Sequence, residues 1–134
     1  MGFTTVDIYL HNPEKPTEYR QVALLADTGA VYAIVPSNIL NDLGIKSLGR
    51  RSFTLANGQR IEREIGGALY RLGEYSGHAP VIFGEEGDQS ILGVTALEAL
   101  GLQVDPVTKQ LKPAELLLLE MFIYQPTPFI PLPS

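Results

Sequence analysis

At 134 residues, 45% of them hydrophobic, the chain is long enough for one domain with a core, too short to expect two, and too apolar for wholesale disorder. A net charge of −5, with the acids spread out and no basic cluster, argues against nucleic acid or an anionic membrane surface as partner. No cysteine is present, so there is neither a disulfide scaffold nor a thiolate zinc site. The two histidines, His11 and His78, stand far apart in sequence in polar or glycine-rich surroundings, so no metal and no cofactor are expected.

Residues 4–10 alternate and are β-branched at their start, which predicts a strand. His11-Asn12-Pro13-Glu14-Lys15-Pro16 reads as a turn, and residues 18–26 return as a second strand. Residues 31–35 are again strand-like. Pro36 suits a first helical position, and Ile39, Leu40 and Leu43 share one face, predicting a short helix over 36–43 with Gly44 as its C-cap.

Residues 51–56 and 59–65 read as strands joined at Asn57-Gly58, a strong hairpin signal. Gly66-Gly67 marks a bulge or sharp bend before the strand continues over 68–72. Residues 80–83 predict a short strand, and Glu85-Glu86-Gly87-Asp88 a solvated loop. Residues 89–92 run into Gly93, and residues 94–100 into a helix capped by Gly101. Residues 102–104 and Gln110-Leu111 predict a terminal hairpin over Asp105-Pro106.

One stretch stands out for chemistry. The apolar run Ala23-Leu24-Leu25-Ala26 leads inward and delivers Asp27, Thr28, Gly29 and Ala30 at its end. A carboxylate carried into an interior is costly unless paired or hydrogen-bonded, which makes Asp27 a candidate catalytic acid. Thr28 offers a hydroxyl to lock the local geometry, and Gly29 lets the backbone pass close to a neighbour. The plain alternative is a strand ending in an Asp-Thr-Gly turn. An internal echo adds organisation: Leu40-Asn41-Asp42-Leu43-Gly44-Ile45 is matched by Leu97-Glu98-Ala99-Leu100-Gly101-Leu102, which suggests a pseudo-twofold within the chain.

Three features in this order and spacing carry a family resemblance: Leu25-Ala26-Asp27-Thr28-Gly29-Ala30, the Asn57-Gly58 hairpin, and Ile91-Leu92-Gly93 before a short helix. Together they resemble the retropepsin-like aspartic proteases, the half-length relatives of pepsin, over residues 4–112. The resemblance implies a mainly β fold, a closed β-barrel of the acid-protease type with two short helices, in a dimer. It implies that Asp27 is catalytic, that Thr28 bonds across the dimer axis, and that Gly29, with Ala30, lines the substrate cleft. Ala56, Asn57 and Gly58 would form the flap tip over an extended polypeptide, and Ile91, Leu92 and Gly93 a core structural loop. The chain departs from the pattern where Val31 and Tyr32 replace the acids that often follow the motif in retroviral enzymes. The flap tip also lacks the tyrosine of pepsin-like flaps.

Peptide hydrolysis without metal or covalent nucleophile needs a base to activate water and an acid to protonate the carbonyl oxygen. Two neighbouring carboxyls sharing one proton supply both. The chain holds a single Asp-Thr-Gly, because Asp88 precedes Gln89-Ser90 and Asp105 precedes Pro106-Val107. A second copy must then provide the second acid, so a homodimer is expected. A non-catalytic peptide-binding or dimerisation module on the same fold is the alternative from another functional class.

The division expected is a domain over 1–112 and an apolar, proline-rich extension over 113–134. Residues 116–124 are too few to span a bilayer and are interrupted by Glu120, and the first ten residues lack a signal-peptide core. A soluble, cytoplasmic protein is the expectation.

Overall fold

The computed structural model describes residues 4–115. Strand β1 (Thr4–Asn12) pairs antiparallel with β2 (Lys15–Ala26), placing Ile8 opposite Val22 and Val6 opposite Leu24. Alternation decides the faces: Ile8, Leu10, Val22, Leu24 and Ala26 point to the core, each burying most of its apolar surface. The connection is tighter than the sequence suggests, since β2 resumes at Lys15. Asn12 makes this possible: its side chain accepts from the Glu14 N–H (2.9 Å) and donates to the Leu43 carbonyl (2.8 Å).

His11, expected in the turn, is instead a buried strand residue. Its Nε2 accepts from the Arg71 guanidinium (3.2 Å), so the proton sits on Nδ1 and is donated to the Pro16 carbonyl.

Strand β3 (Ala33–Pro36) leads directly into helix α1 (Ser37–Asp42). Pro36 is the N-cap rather than the first helical residue, and Val31 and Tyr32 belong to the preceding loop. Strand β4 (Arg50–Thr54) and strand β5 (Arg60–Leu72) form the expected hairpin about Asn57-Gly58, with Gly58 at φ +86°. Its turn is closed by the Leu55–Gln59 and Gly58–Leu55 backbone bonds.

Two expectations fail beyond this hairpin. The ladder with β6 runs through Ile65, Gly66 and Gly67 without a register shift, so of the expected bulge or sharp bend no bulge is present. Strand β5 instead changes partner just before the glycines, from β4 up to Glu64 to β6 from Ile65. Gly66 serves close packing instead: a Cβ would come within 2.9 Å of the Lys46 carbonyl oxygen. Strand β6 (Tyr75–Gly84) is much longer than 80–83, and it joins β5 across a tight turn in which Gly73 takes φ +59°.

Strand β7 (Ile91–Leu92), helix α2 (Val94–Leu100), β8 (Leu102–Val104) and β9 (Leu111–Pro113) complete the described elements. Gly44 and Gly101, which follow the two helices, both adopt left-handed backbone, at φ +76° and +75°. The main sheet has the order β1-β2-β7-β3-β6-β5-β4, and β1 also pairs with β5. The pairings thus return on themselves around a mainly β fold with two short helices. Leu40, Tyr70, Val81, Leu92, Ala96 and Leu100 fill its centre.

In the separate β8–β9 hairpin, Asp105 accepts from the Val107 and Thr108 N–H groups and pairs with Lys112. Those bonds hold its carboxyl below the usual range. Pro113 still belongs to β9, and the Ala114 N–H donates to Gly101. The apolar stretch 116–124 and the proline-rich tail expected beyond it lie outside the described residues. Among the described residues, no helix is long and apolar enough to cross a membrane.

Candidate active site

Strand β2 ends at Ala26, and Asp27 follows where the chain turns out of the sheet. The loop is fixed from beneath by β7, which lies parallel to β2 with Leu25 opposite Ile91 and Ala26 opposite Leu92. Leu25 donates to the Ser90 carbonyl (3.0 Å) and Asp27 to the Leu92 carbonyl (3.1 Å). On the far side, the first N–H groups of α2 are spent on the same loop: Val94 donates to Ala30 (2.8 Å) and Thr95 to Val31 (2.9 Å). Helix N-terminal N–H groups have no partner within their own helix, so these two bonds satisfy the helix as well as the loop.

Glycine is required at the crossing point. A Cβ on Gly93 would lie 2.5 Å from the Tyr32 carbonyl carbon and 3.0 Å from the Ala30 oxygen. The predicted trio Ile91, Leu92 and Gly93 is therefore packed directly against the predicted Asp27–Ala30 loop.

Within the loop, the Asp27 carboxylate folds back so that Oδ1 accepts the Gly29 N–H at 2.8 Å. A Cβ on Gly29 would stand 3.1 Å from that same oxygen, which explains the glycine. Asp27 is half-buried rather than interior, because the turn lifts it out of the sheet. Thr28 is exposed, and its hydroxyl makes no hydrogen bond among the described residues. The Gly29 N–H does the local locking expected of it.

A cleft of about 590 Å³ opens beside this loop, beneath the β4–β5 hairpin. Gly29 and Ala30 line it, as do Ala56 from the hairpin and Ile91 from β7. Asp27 and Thr28 are not in its wall, and neither are Asn57 and Gly58 at the hairpin tip. Leu92 and Gly93 are buried behind it. Ile61 lines the cleft and Ile65 is buried, so the hairpin is anchored by its second strand.

Several contributors are not evident from the sequence. Tyr32 and Phe53 meet edge to face across the cleft, with ring centroids 6.2 Å apart at 81°. Arg63 and Asp88 form a two-point ion pair in its wall: Nε to Oδ2 at 2.7 Å and Nη2 to Oδ1 at 2.9 Å. Asp88 also accepts the Glu85 N–H (2.8 Å). The Arg63 guanidinium and, less strongly, that N–H hold the Asp88 carboxyl below the usual range, while Asp88 pushes Arg63 further up. The loop expected to be solvated is thus tied down at Asp88 by a residue of β5.

Among the described residues, no group of three or more His, Cys, Asp or Glu side chains is placed to hold a metal ion. No family model matches the chain, and no curated protein matches it. Among solved structures it is similar to the crystal structure of a retropepsin-like aspartic protease from Rickettsia conorii. Identity is 22% over 78% of this chain and 85% of that chain, with a TM-score of 0.45.

Proposed function

We propose that the protein is an aspartic endopeptidase that cleaves extended polypeptide as a cytoplasmic homodimer, with Asp27 of each copy forming a symmetric dyad. The observation that carries this reading is the pinned acid: Asp27 sits in a loop stitched by β7 and α2, beside a cleft roofed by a hairpin. Rigid placement of an acid beside a groove is what general acid–base chemistry requires.

In the dyad, the ionised carboxylate takes a proton from water as its oxygen attacks the peptide carbonyl. The protonated partner gives its proton to the carbonyl oxygen. As the tetrahedral intermediate collapses, the carboxyl that took water's proton gives it to the amine nitrogen as the C–N bond breaks. The ionised partner takes a hydroxyl proton of the intermediate, which restores the shared-proton state. The titration belongs to the pair rather than to either residue. Thr28, exposed beside the acid, would bond across the axis. Gly29 and Ala30 would face the substrate backbone, and Ala56, Asn57 and Gly58 would close over it as a flap.

Asp27→Asn tests the reading. Cleavage of a broad peptide library should fall by about 10²–10⁴-fold, the range of general acid–base catalysis. Folding should be spared, because an Asn side-chain oxygen still accepts the Gly29 N–H. Undiminished cleavage by the variant, or an active species sedimenting as a monomer, rejects the dyad. A non-catalytic peptide-binding module is the second reading, favoured by the commitment of Oδ1 to Gly29 within one chain. It prevails when the wild type binds peptides yet cleaves none from mildly acid to neutral pH.

A further inference from the structure

The Arg63–Asp88 pair is unlike the rest of the cleft it lines. Tyr32, Phe53, Ile61 and Ile91 make most of the surrounding wall apolar, yet two opposite charges stand within it at 15% and 20% side-chain exposure. Most of the hydrogen-bonding capacity of both charges is already taken. Arg63 commits Nε and Nη2 to Asp88 and Nη1 to the Glu62 carbonyl (2.8 Å), with Glu85 at 3.5 Å. Asp88 accepts from two guanidinium nitrogens and from the Glu85 N–H.

We propose that this pair determines specificity: each charge masks the other, so the peptide side chain seated against it must be uncharged. The inference rests on the peptide-cleaving reading above and names a selectivity for the same cleft. A charged side chain entering there meets a charge already neutralised by its neighbour, and gains a full partner only by breaking the pair and leaving one member uncompensated. Removing one member reverses the situation. Asp88→Asn keeps the volume and an acceptor for the Glu85 N–H while leaving the guanidinium with only the more exposed Glu85 carboxylate, 3.5 Å from Nη1, as its acidic partner. Arg63→Met keeps the stem and unmasks the carboxylate.

The test is a positional-scanning library of short peptides bearing Leu, Gln, Glu or Lys at each position, cleaved by the wild type and both variants. At one position the wild type should disfavour both Glu and Lys. There, Asp88→Asn should raise the Glu-to-Gln ratio of kcat/KM roughly tenfold, and Arg63→Met should raise the Lys-to-Gln ratio by a similar factor. A purely structural tie would slow all peptides alike, so an unchanged ranking in both variants overturns the proposal, as does a shift toward the same charge in both. If the wild type cleaves nothing, the same library is read as retention on immobilised protein. Opposite charge shifts in retention would then uphold the pair's role while the protease reading falls, and no retention of any peptide overturns both.

Discussion

The two sides of the cleft are held by different means. The Asp27–Tyr32 loop is bound by backbone to β7 below and α2 behind, with no room for one more carbon at Gly93. The opposing hairpin, from Arg50 to Arg60, is mostly exposed and is held by its own ladder and side-chain contacts: Phe53 against Tyr32, with Arg63 and Ile65 as the anchors nearest its base. Backbone stitching fixes a position. Side-chain anchorage constrains less, and the proposed peptidase, which would have to hold an acid still and admit a polymer, would use one of each.

The contrast breaks most sharply at Gly93. Gly93→Val should destabilise the fold by about 3 kcal/mol in urea denaturation, because the backbone of Tyr32 stands where the side chain must go. Any activity should be lost with it. A variant as stable as the wild type would show that the loop is not pinned there.

Arg63→Met probes the other side and should cost less, roughly 1–2 kcal/mol at neutral pH, since the pair is only partly shielded from water. The loss should also depend on pH. A carboxyl held below its unfolded value contributes stability above that value, and the contribution disappears as pH falls through the folded one. The gap between wild type and Arg63→Met should therefore be full at neutral pH and close as pH drops from about 4 downward. A constant gap would mean that Asp88 gains nothing from Arg63.

The smallest effect belongs to the tip. Gly58 has φ +86°, but a methyl group added there would meet open space, with no atom within 4 Å. Gly58→Ala should therefore cost no more than about 1 kcal/mol, the backbone penalty alone. Amide exchange should quicken in the hairpin and stay unchanged at Leu25 and Asp27. Equal acceleration on both sides would erase the distinction between them.

Much of the fold is legible in the sequence where periodicity or a turn signal is local. The β1–β2 alternation, the Asn57-Gly58 hairpin and the glycine ends of both helices all follow from neighbours in the chain. The first half of β6 is not, because Ser76, Gly77 and His78 dilute the strand signal. Gly77 is there for a distant reason: a Cβ would strike the carbonyl of Ala99. Asp88 reads as a solvated acid because its partner lies on β5. Tyr32 shows in the sequence only as a departure from a pattern, and it takes the fold to bring Phe53 against it. For the candidate site, the acid and the glycine beneath it are readable. The wall of the cleft, assembled from separate strands, is not.

The shortness of β7 has a consequence for synthesis. Those two residues, with the start of α2, are what give the Asp27 loop its shape, yet they lie far downstream of it in sequence. A ribosome-bound fragment ending before residue 90 can pair β1 with β2 and hold Asp27 in sequence, but not in register with anything. The loop therefore takes its shape only once residues 90–95 have been made, and contacts of such long range form slowly. Asp27 is thus placed by residues made well after it, and its surroundings are set by topology rather than by its neighbours in the chain.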